Sequence, residues 1–474
     1  MPFACGGPRP FERIGLTRTE ALRPARIPGP LTRRRALVDG MLLSLSLAIQ
    51  GVALAALFAH TSSRRFNIVT GYFLLWGGIF LVIAWNPLLL RPVTGAAALV
   101  LAVGMLAAFG GAVLGSRWIR SQPTPFEAVG LVQPRRSFRW AVGLAVASAG
   151  VGVAVLSFRN AVDAAAGGIG FDQLTAQQVR YYSVYGAASH AGVGTTLYSL
   201  APLVAAGGIV LGRHRRLGYL FVAFAIFMAV QNPARTLVFY TALVALLSWL
   251  YYKPSSTAPP KAGARHWHRI GVVGVTLICL AGYFEHVGNL LNKSNPAQIR
   301  SGTVIPAALF SPTIYLTGSP EALSTALDDN VDPTQGEHGR TVWIAQRIFL
   351  LVDRGATAPS NIAQAVPIPY PYNTYTWAGD LWFDFGWLGV VLGGLFLGFV
   401  SAVVDERARQ RQSALWSWWA AAWGVVLLSS IITFEVFWLQ TVIWLLAGPL
   451  VFGVSKPARR PATAAATPRV TATG

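Results

Sequence analysis

Tyr372-Asn373-Thr374-Tyr375-Thr376 closes the polar segment 288–376, and the chain then runs straight into an apolar stretch, Trp377 to Phe399, that carries Asp380 and Asp384 near its start. An apolar run of this length is what a bilayer-crossing helix requires, since about 20 residues span the hydrocarbon. Two carboxylates in such a run are costly in lipid, so they are expected to face a protein interior or a wet cavity and to mark a site. Their spacing of four puts both on one helix face. The expectation is a wet cleft at the mouth of a single long helix, with Asp380 or Asp384 serving the chemistry there; the alternative is that the two carboxylates only stabilise the helix entry at the positive end of its macrodipole.

Working outward, the composition makes the rest of the chain a scaffold for that junction. Hydrophobic residues make up 54% and charged residues 12% of the 474, and the mean hydropathy is +0.50, which is too apolar for a soluble protein. Further apolar runs lie at 41–60, 67–90, 95–115, 139–158, 193–212, 217–232, 235–252, 269–287, 414–433 and 436–455. With 377–403 they predict an all-α polytopic membrane protein of about 11 transmembrane helices, within 10–12. The expected organisation is a basic, disordered leader over 1–36, helices 1–8 over 37–287 with an outward loop at 159–192, a large extracytoplasmic loop over 288–376, helices 9–11 over 377–455, and a tail over 456–474.

Charge orients this scaffold. The net charge is +20, yet the basic residues cluster in alternate short loops: Arg64–Arg65, Arg117–Arg139, Arg213–Arg216, Lys253–Arg269, Arg407–Arg411 and the tail from Lys456. This is the positive-inside pattern, so the bilayer, not a nucleic acid, is the partner it implies. Loops 159–192 and 288–376 then face outward. Counting back through 11 helices puts the leader, with its eight Arg, outside and against the charge rule. Either one helix is miscounted or translation begins at Met41.

Cys5 and Cys279 are the only cysteines, which implies neither a disulfide nor a metal site. No cofactor and no metal are expected. In loop 159–192, Asp172–Tyr182 predicts a short interfacial helix with Leu174, Gln178 and Tyr181 or Tyr182 on one side, ended by Gly186. It would hold Arg180 at the membrane surface, either for a ligand or simply snorkelling to head groups. Arg235 opens a helix on the outward side, at the end of the macrodipole that favours anions. A bound anion would account for it, and snorkelling is again the competing reading. In the large loop, Val304–Leu316 is apolar but interrupted by Pro306 and Pro312, as in a re-entrant or surface helix. His338 and Arg340 sit in Gly336-Glu337-His338-Gly339-Arg340-Thr341. Tyr372, Asn373 and Tyr375 offer the aromatic faces and amide that a sugar-binding cleft needs, and an interfacial aromatic belt is the alternative.

Taken together, Tyr372-Asn373-Thr374-Tyr375-Thr376, Leu381-Trp382-Phe383-Asp384-Phe385-Gly386-Trp387-Leu388-Gly389, Gly394 and Gly398 resemble the C-terminal signature of the bacterial O-antigen and oligosaccharide repeat-unit polymerases, the Wzy-type proteins. The resemblance extends to Arg180 before Gly186, Pro202, Arg235 and Tyr315-Leu316-Thr317-Gly318-Ser319, and covers residues 67–455. It departs at the helix opened by Arg235, where Asn232-Pro233-Ala234 stands in place of a Gly-Gly pair. The resemblance implies an enzyme of the bacterial cytoplasmic membrane that joins polyprenyl-diphosphate-linked oligosaccharides at the outer face, working beside a flippase and a chain-length regulator. Arg180, Arg235 and Arg340 are the candidates for binding the lipid diphosphate, and His338, Asp380 or Asp384 for the general base. A ligase that passes the finished chain to another acceptor is the nearest enzymatic alternative. A transporter is the non-enzymatic one, although no internal repeat of the usual kind is evident.

Overall fold

The computed structural model describes residues 30–61, 67–85, 93–122, 134–185, 197–214, 216–231, 235–252, 262–290, 307–334, 339–342, 364–368, 371–411, 413–434 and 439–453; for Arg180 and Arg235 it describes the backbone but not the side chain. The chain is mostly helical and is a multi-pass membrane protein. In order the α-helices are α1 Pro30–Thr61, α2 Ile68–Trp85, α3 Gly95–Ser121, α4 Pro134–Ala165, α5 Ala176–Tyr185, α6 Ala201–Gly212, α7 Gly218–Val230, α8 Arg235–Tyr251, α9 Ala262–Leu290, α10 Ala307–Asp328, α11 Thr376–Arg411, α12 Ala414–Ser429 and α13 Leu439–Phe452. Six of them, α1–α4, α9 and α11, contain a stretch long and apolar enough to cross a membrane, and α6, α7, α8, α12 and α13 are shorter apolar helices. Helix α1 begins at Pro30, so the helix reaches into what the sequence presents as a disordered leader.

Helix ends gather at two poles. At one, Arg120 donates to the Thr61 carbonyl (3.0 Å), Arg407 to Gln122 Oε1 (2.5 Å) and Arg213 to the Trp249 carbonyl (2.8 Å). Asp405 there accepts from Tyr251 and Arg409, His214 pairs with Tyr252 (2.6 Å), and Trp140 donates to the Phe452 carbonyl (3.3 Å). The helix ends that adjoin the basic loops thus share one pole. Helix α1 runs parallel to α3, with Gln50 donating to the Ala102 carbonyl (3.0 Å) and Phe58 packed on Phe109. Its described N-terminus, at Pro30, therefore lies at the opposite pole.

The most extensive interface is between α3 and α11. In lipid, apolar side chains gain little by leaving one apolar surroundings for another, so helices bind through close backbone approach at small residues. Gly111 and Gly115 of α3 back onto the Leu395 and Phe399 carbonyls, and Gly394 and Gly398 of α11 back onto the Gly104 and Ala108 carbonyls. Gly51 packs on α2 in the same way, its missing Cβ leaving room for Gly77 N and the Phe73 carbonyl (2.9 Å from where a Cβ would stand). Helix α12 contributes bulk instead. Its buried indoles satisfy their N–H groups, as buried Trp must: Trp418 to the Trp444 carbonyl (3.0 Å) and Trp423 to Ser401 Oγ (2.8 Å).

Helix α11 differs from the expectation of one straight span. Gly386 has φ 60 and ψ −147, a backbone region open almost only to glycine. There the chain folds back. A Cβ at Gly389 would stand 2.5 Å from the Leu381 carbonyl oxygen, and Gly393 faces the Leu381 and Trp377 side chains. In a continuous helix, residues eight apart are about 12 Å distant. The helix is accordingly a short arm, 376–385, lying antiparallel against the head of a long arm, 387–411.

Two shorter helices also correct the sequence reading. Helix α10 continues through Pro312 and Pro320 to Asp328, packed against α9, α3 and α2, so it is not broken at Pro312, and of the two readings the surface helix gives way while the re-entrant one stands. Helix α5 forms as expected, closed at its start by a capping box in which Gln178 N donates to Thr175 Oγ1 (3.3 Å) and Thr175 N to Gln178 Oε1 (2.9 Å). Its inner face is Val179 and Tyr182, the second of the two tyrosines the sequence offered, with Leu174 beside them and Gln178 exposed, and it covers Phe158 and Tyr198. Residues one helical turn apart face alike, and here the apolar pair won that face.

Candidate functional site

The short arm carries the site. Its start is fixed by an exchange between two helix termini, each of which has backbone groups without intrahelical partners. Thr376 N donates to the Ile432 carbonyl (3.1 Å) and Trp377 N to the Ser430 carbonyl (2.9 Å), just past the end of α12. Thr376 Oγ1 caps the arm by accepting from Gly379 N (3.2 Å). The residue does so with φ 67, an unusual conformation for a β-branched side chain.

One turn on, Asp380 is 2% exposed and both of its oxygens accept hydrogen bonds. Oδ1 accepts from Arg340 Nη2 (2.5 Å), and Oδ2 from Thr433 Oγ1 (2.6 Å) and Phe434 N (2.9 Å). Another turn on, Asp384 Oδ2 accepts from both the backbone N and Oγ1 of Thr341 (2.6 Å each). The two carboxylates, four apart on one face, thus seize consecutive residues of the short turn Arg340–Val342. Arg340 is itself buried. Its Nη1, and Oδ1 of Asp384, are buried without a hydrogen-bond partner among the described residues. This is a buried polar cluster inside the bundle, where the sequence pointed to a wet cleft.

The hairpin before the arm supplies the roof. Strands Val366–Pro367 and Pro371–Tyr372 pair antiparallel, giving the extended approach that the Pro-rich run predicts. Tyr375 is fully buried, donates to the Gln364 carbonyl and packs edge-on against Phe383. Tyr372 is 8% exposed and lies on Gly318 of α10, where a Cβ would stand 3.0 Å from its ring; Ser319 Oγ is 3.4 Å from its hydroxyl and 3.0 Å from Thr374 Oγ1. Burial pushes the Tyr372 hydroxyl up to about 12 and raises that of Tyr375, so both stay neutral hydrogen-bonding groups. Their rings are packed inside the protein and do not form an open stacking platform. Asn373 alone of the three is exposed. Two stretches that carry the resemblance, Tyr315–Ser319 and Tyr372–Thr376, therefore pack on each other.

Of the candidates read from sequence, the structure unites Arg340, Asp380, Asp384 and Tyr375. Arg340 and Asp380 are both near enough to Tyr375 to act on its ionisation. Arg180 lies in α5 and Arg235 opens α8, and neither guanidinium is described. His338 lies outside the described residues. Three participants escaped the sequence reading as partners: Thr341, Thr433 and the Phe434 amide. A further carboxyl, Glu321 of α10, is 1% exposed with Oε2 unpartnered among the described residues, and burial raises its pKa well above the usual 4.5. No group of His, Cys, Asp and Glu that could hold a metal occurs among the described residues. No protein-family model, no curated protein and no solved structure matches the chain.

Proposed function

We propose that the chain is a polymerase that joins polyprenyl-diphosphate-linked oligosaccharide units at the outer face of the bacterial cytoplasmic membrane. All eleven apolar helices cross, and the pole away from the basic loops faces outward. The observation that carries the reading is the buried guanidinium of Arg340, paired through Nη2 with Asp380 while Nη1 has no partner among the described residues. It sits among the residues on which the resemblance rests.

The chemistry asks for such a group. The acceptor sugar hydroxyl attacks the anomeric carbon of the donor, the bond from that carbon to the phosphate oxygen breaks, and the diphosphate leaves with the electron pair. Charge grows on the leaving oxygens, and an Arg donor held in a site of low dielectric stabilises it strongly. The proton of the attacking hydroxyl goes to a base within hydrogen-bond reach. Asp384, with Oδ1 free of partners among the described residues, and His338 are the candidates.

Purified protein in lipid nanodiscs, supplied with a polyprenyl-diphosphate oligosaccharide, should build a ladder of products spaced by one repeat unit. Arg340→Ala should slow it about 100-fold or more, the usual scale for removing one such donor. A single transfer to a different acceptor, without a ladder, would place the chain among the ligases. A normal ladder from folded Arg340→Ala protein would remove Arg340 from the reaction.

A further inference from the structure

The bonding of Asp380 is wrong for a base and right for a different task. A general base needs a lone pair directed at the proton it takes. Asp380 has both oxygens committed to donors from two distant parts of the chain: Arg340 on one side, Thr433 and Phe434 on the other. Protonating it would break these contacts. A buried ion pair is also no general device for stability, since apolar residues of similar volume often do as well. A buried donor without a partner among the described residues, Arg340 Nη1, adds a cost that needs a reason.

We infer that Asp380 is the positioning residue for Arg340, holding the guanidinium by Nη2 so that Nη1 is presented to the diphosphate of a polyprenyl lipid. The guanidinium is planar and rigid. Fixing one of its terminal nitrogens on a carboxylate that is itself anchored to the α12 terminus therefore fixes where the other points. Asp384 completes the arrangement from the same helix face by holding the backbone and hydroxyl of Thr341. Side chain and backbone of one turn are thus gripped one helical turn apart. The diphosphate is taken from the proposed function, and the inference rests on it to that extent.

An amide cannot replace Asp380. Asn has one acceptor oxygen and an NH2 group, so at this position it faces donors on both sides. If it accepts from Phe434 N, its NH2 opposes Arg340; if it accepts from Arg340, its NH2 opposes Phe434 N. Either way the guanidinium is released or the α12 anchor is lost.

The experiment measures binding of geranylgeranyl diphosphate, with geranylgeraniol as the uncharged control, to nanodisc-embedded wild type and to Asp380→Asn, Arg340→Ala, Arg340→Lys and the Asp380→Asn/Arg340→Ala double variant. Each single variant should weaken diphosphate binding at least 10-fold, with the double variant no weaker than Arg340→Ala and geranylgeraniol binding unchanged. Arg340→Lys keeps an ion pair with Asp380 but has no second fork nitrogen, so it should melt near wild type and still bind the diphosphate poorly. In turnover, Asp380→Asn should raise KM while leaving the pH profile of kcat in place. Wild-type diphosphate binding by Arg340→Lys would overturn the inference. So would additive losses in the double variant, or a kcat defect in Asp380→Asn that removes the acid limb of the profile. Coupled diphosphate binding without any polymer formed would sink the polymerase reading alone, and a working polymerase whose diphosphate binding ignores all four variants would sink the inference alone.

Discussion

The two arms of α11 are continuous in sequence and opposite in construction. The long arm, 387–411, is joined to α3 chiefly by the absence of side chains: Gly394 and Gly398 let backbones meet, and a charged contact, Arg407 to Gln122, comes only at the far end of that seam. The short arm, 376–385, is joined to its surroundings by hydrogen bonds and an ion pair reaching residues 340, 341 and 430–434. One seam is set by shape, the other by polarity. A dry glycine seam has no alternative geometry and serves as a fixed reference. A polar arm anchored on loops can hold a site to close tolerance, because each anchor has direction as well as distance.

The seam should break first under a minimal change. A Cβ at Gly398 would run into the Ala108 carbonyl, with Ala112 N close behind. Both are backbone atoms, so no rotamer change relieves the clash. Gly398→Ala should cost about 3 kcal/mol, at the upper end for overpacking, read as a large fall in the thermal midpoint and loss of monodisperse protein in detergent. A midpoint within a degree of wild type would mean that α3 and α11 are not in backbone contact.

The hinge between the arms should answer less strongly and for another reason. At Gly386 a Cβ would meet nothing within 4 Å, so the whole cost of Gly386→Ala is its own φ and ψ, about 2 kcal/mol. The substitution should also push the arms toward one continuous helix and draw Asp380 away from Arg340. If the proposed polymerisation is the activity, it should then fall further than the stability loss explains, whereas Gly398→Ala should lose both together. Equal losses in the two variants would show that the arms act as one body.

This contrast also marks what the sequence made legible. The long arm was readable as a span from hydropathy alone, while Gly394 and Gly398 stood out only through the resemblance and not as the place where α3 packs. On the short arm the positions of Asp380 and Asp384 were readable, because carboxylates stand out in an apolar run. Their partners were not. Arg340 and Thr341 lie 40 and 43 residues away, and Phe434 and Thr433 54 and 53 residues away, across loops with no periodicity to fix their course. The fold-back was hidden too: Gly386 was visible, but nothing in its neighbours separates a glycine that packs from one that turns the chain. Burial of Tyr372 and Tyr375 was missed for a related reason, as a Tyr-rich run reads alike whether its rings meet a ligand or the underside of α10.

The smallest effect expected is a gain, and it lies at the first residue of the short arm. Thr376 is fully buried and has φ 67. For a β-branched residue this conformation crowds the side chain against its own backbone, whereas Asn tolerates it. Glycine would remove the strain too, but it would also remove the cap, since Thr376 Oγ1 accepts from Gly379 N. Asn keeps a side-chain oxygen able to cap the helix start, is close to Thr in volume, and retains the backbone N–H that meets the Ile432 carbonyl. Thr376→Asn should therefore raise stability by about 1 kcal/mol, while Thr376→Val, which keeps the strain and loses the cap, should lower it by about the same amount. Thermal unfolding of the two variants beside wild type is the measurement. If Asn and Val both destabilise, the Thr methyl group must be worth more than the strain it causes, and the short arm would then depend on packing, as the long arm does, in addition to its directed polar contacts.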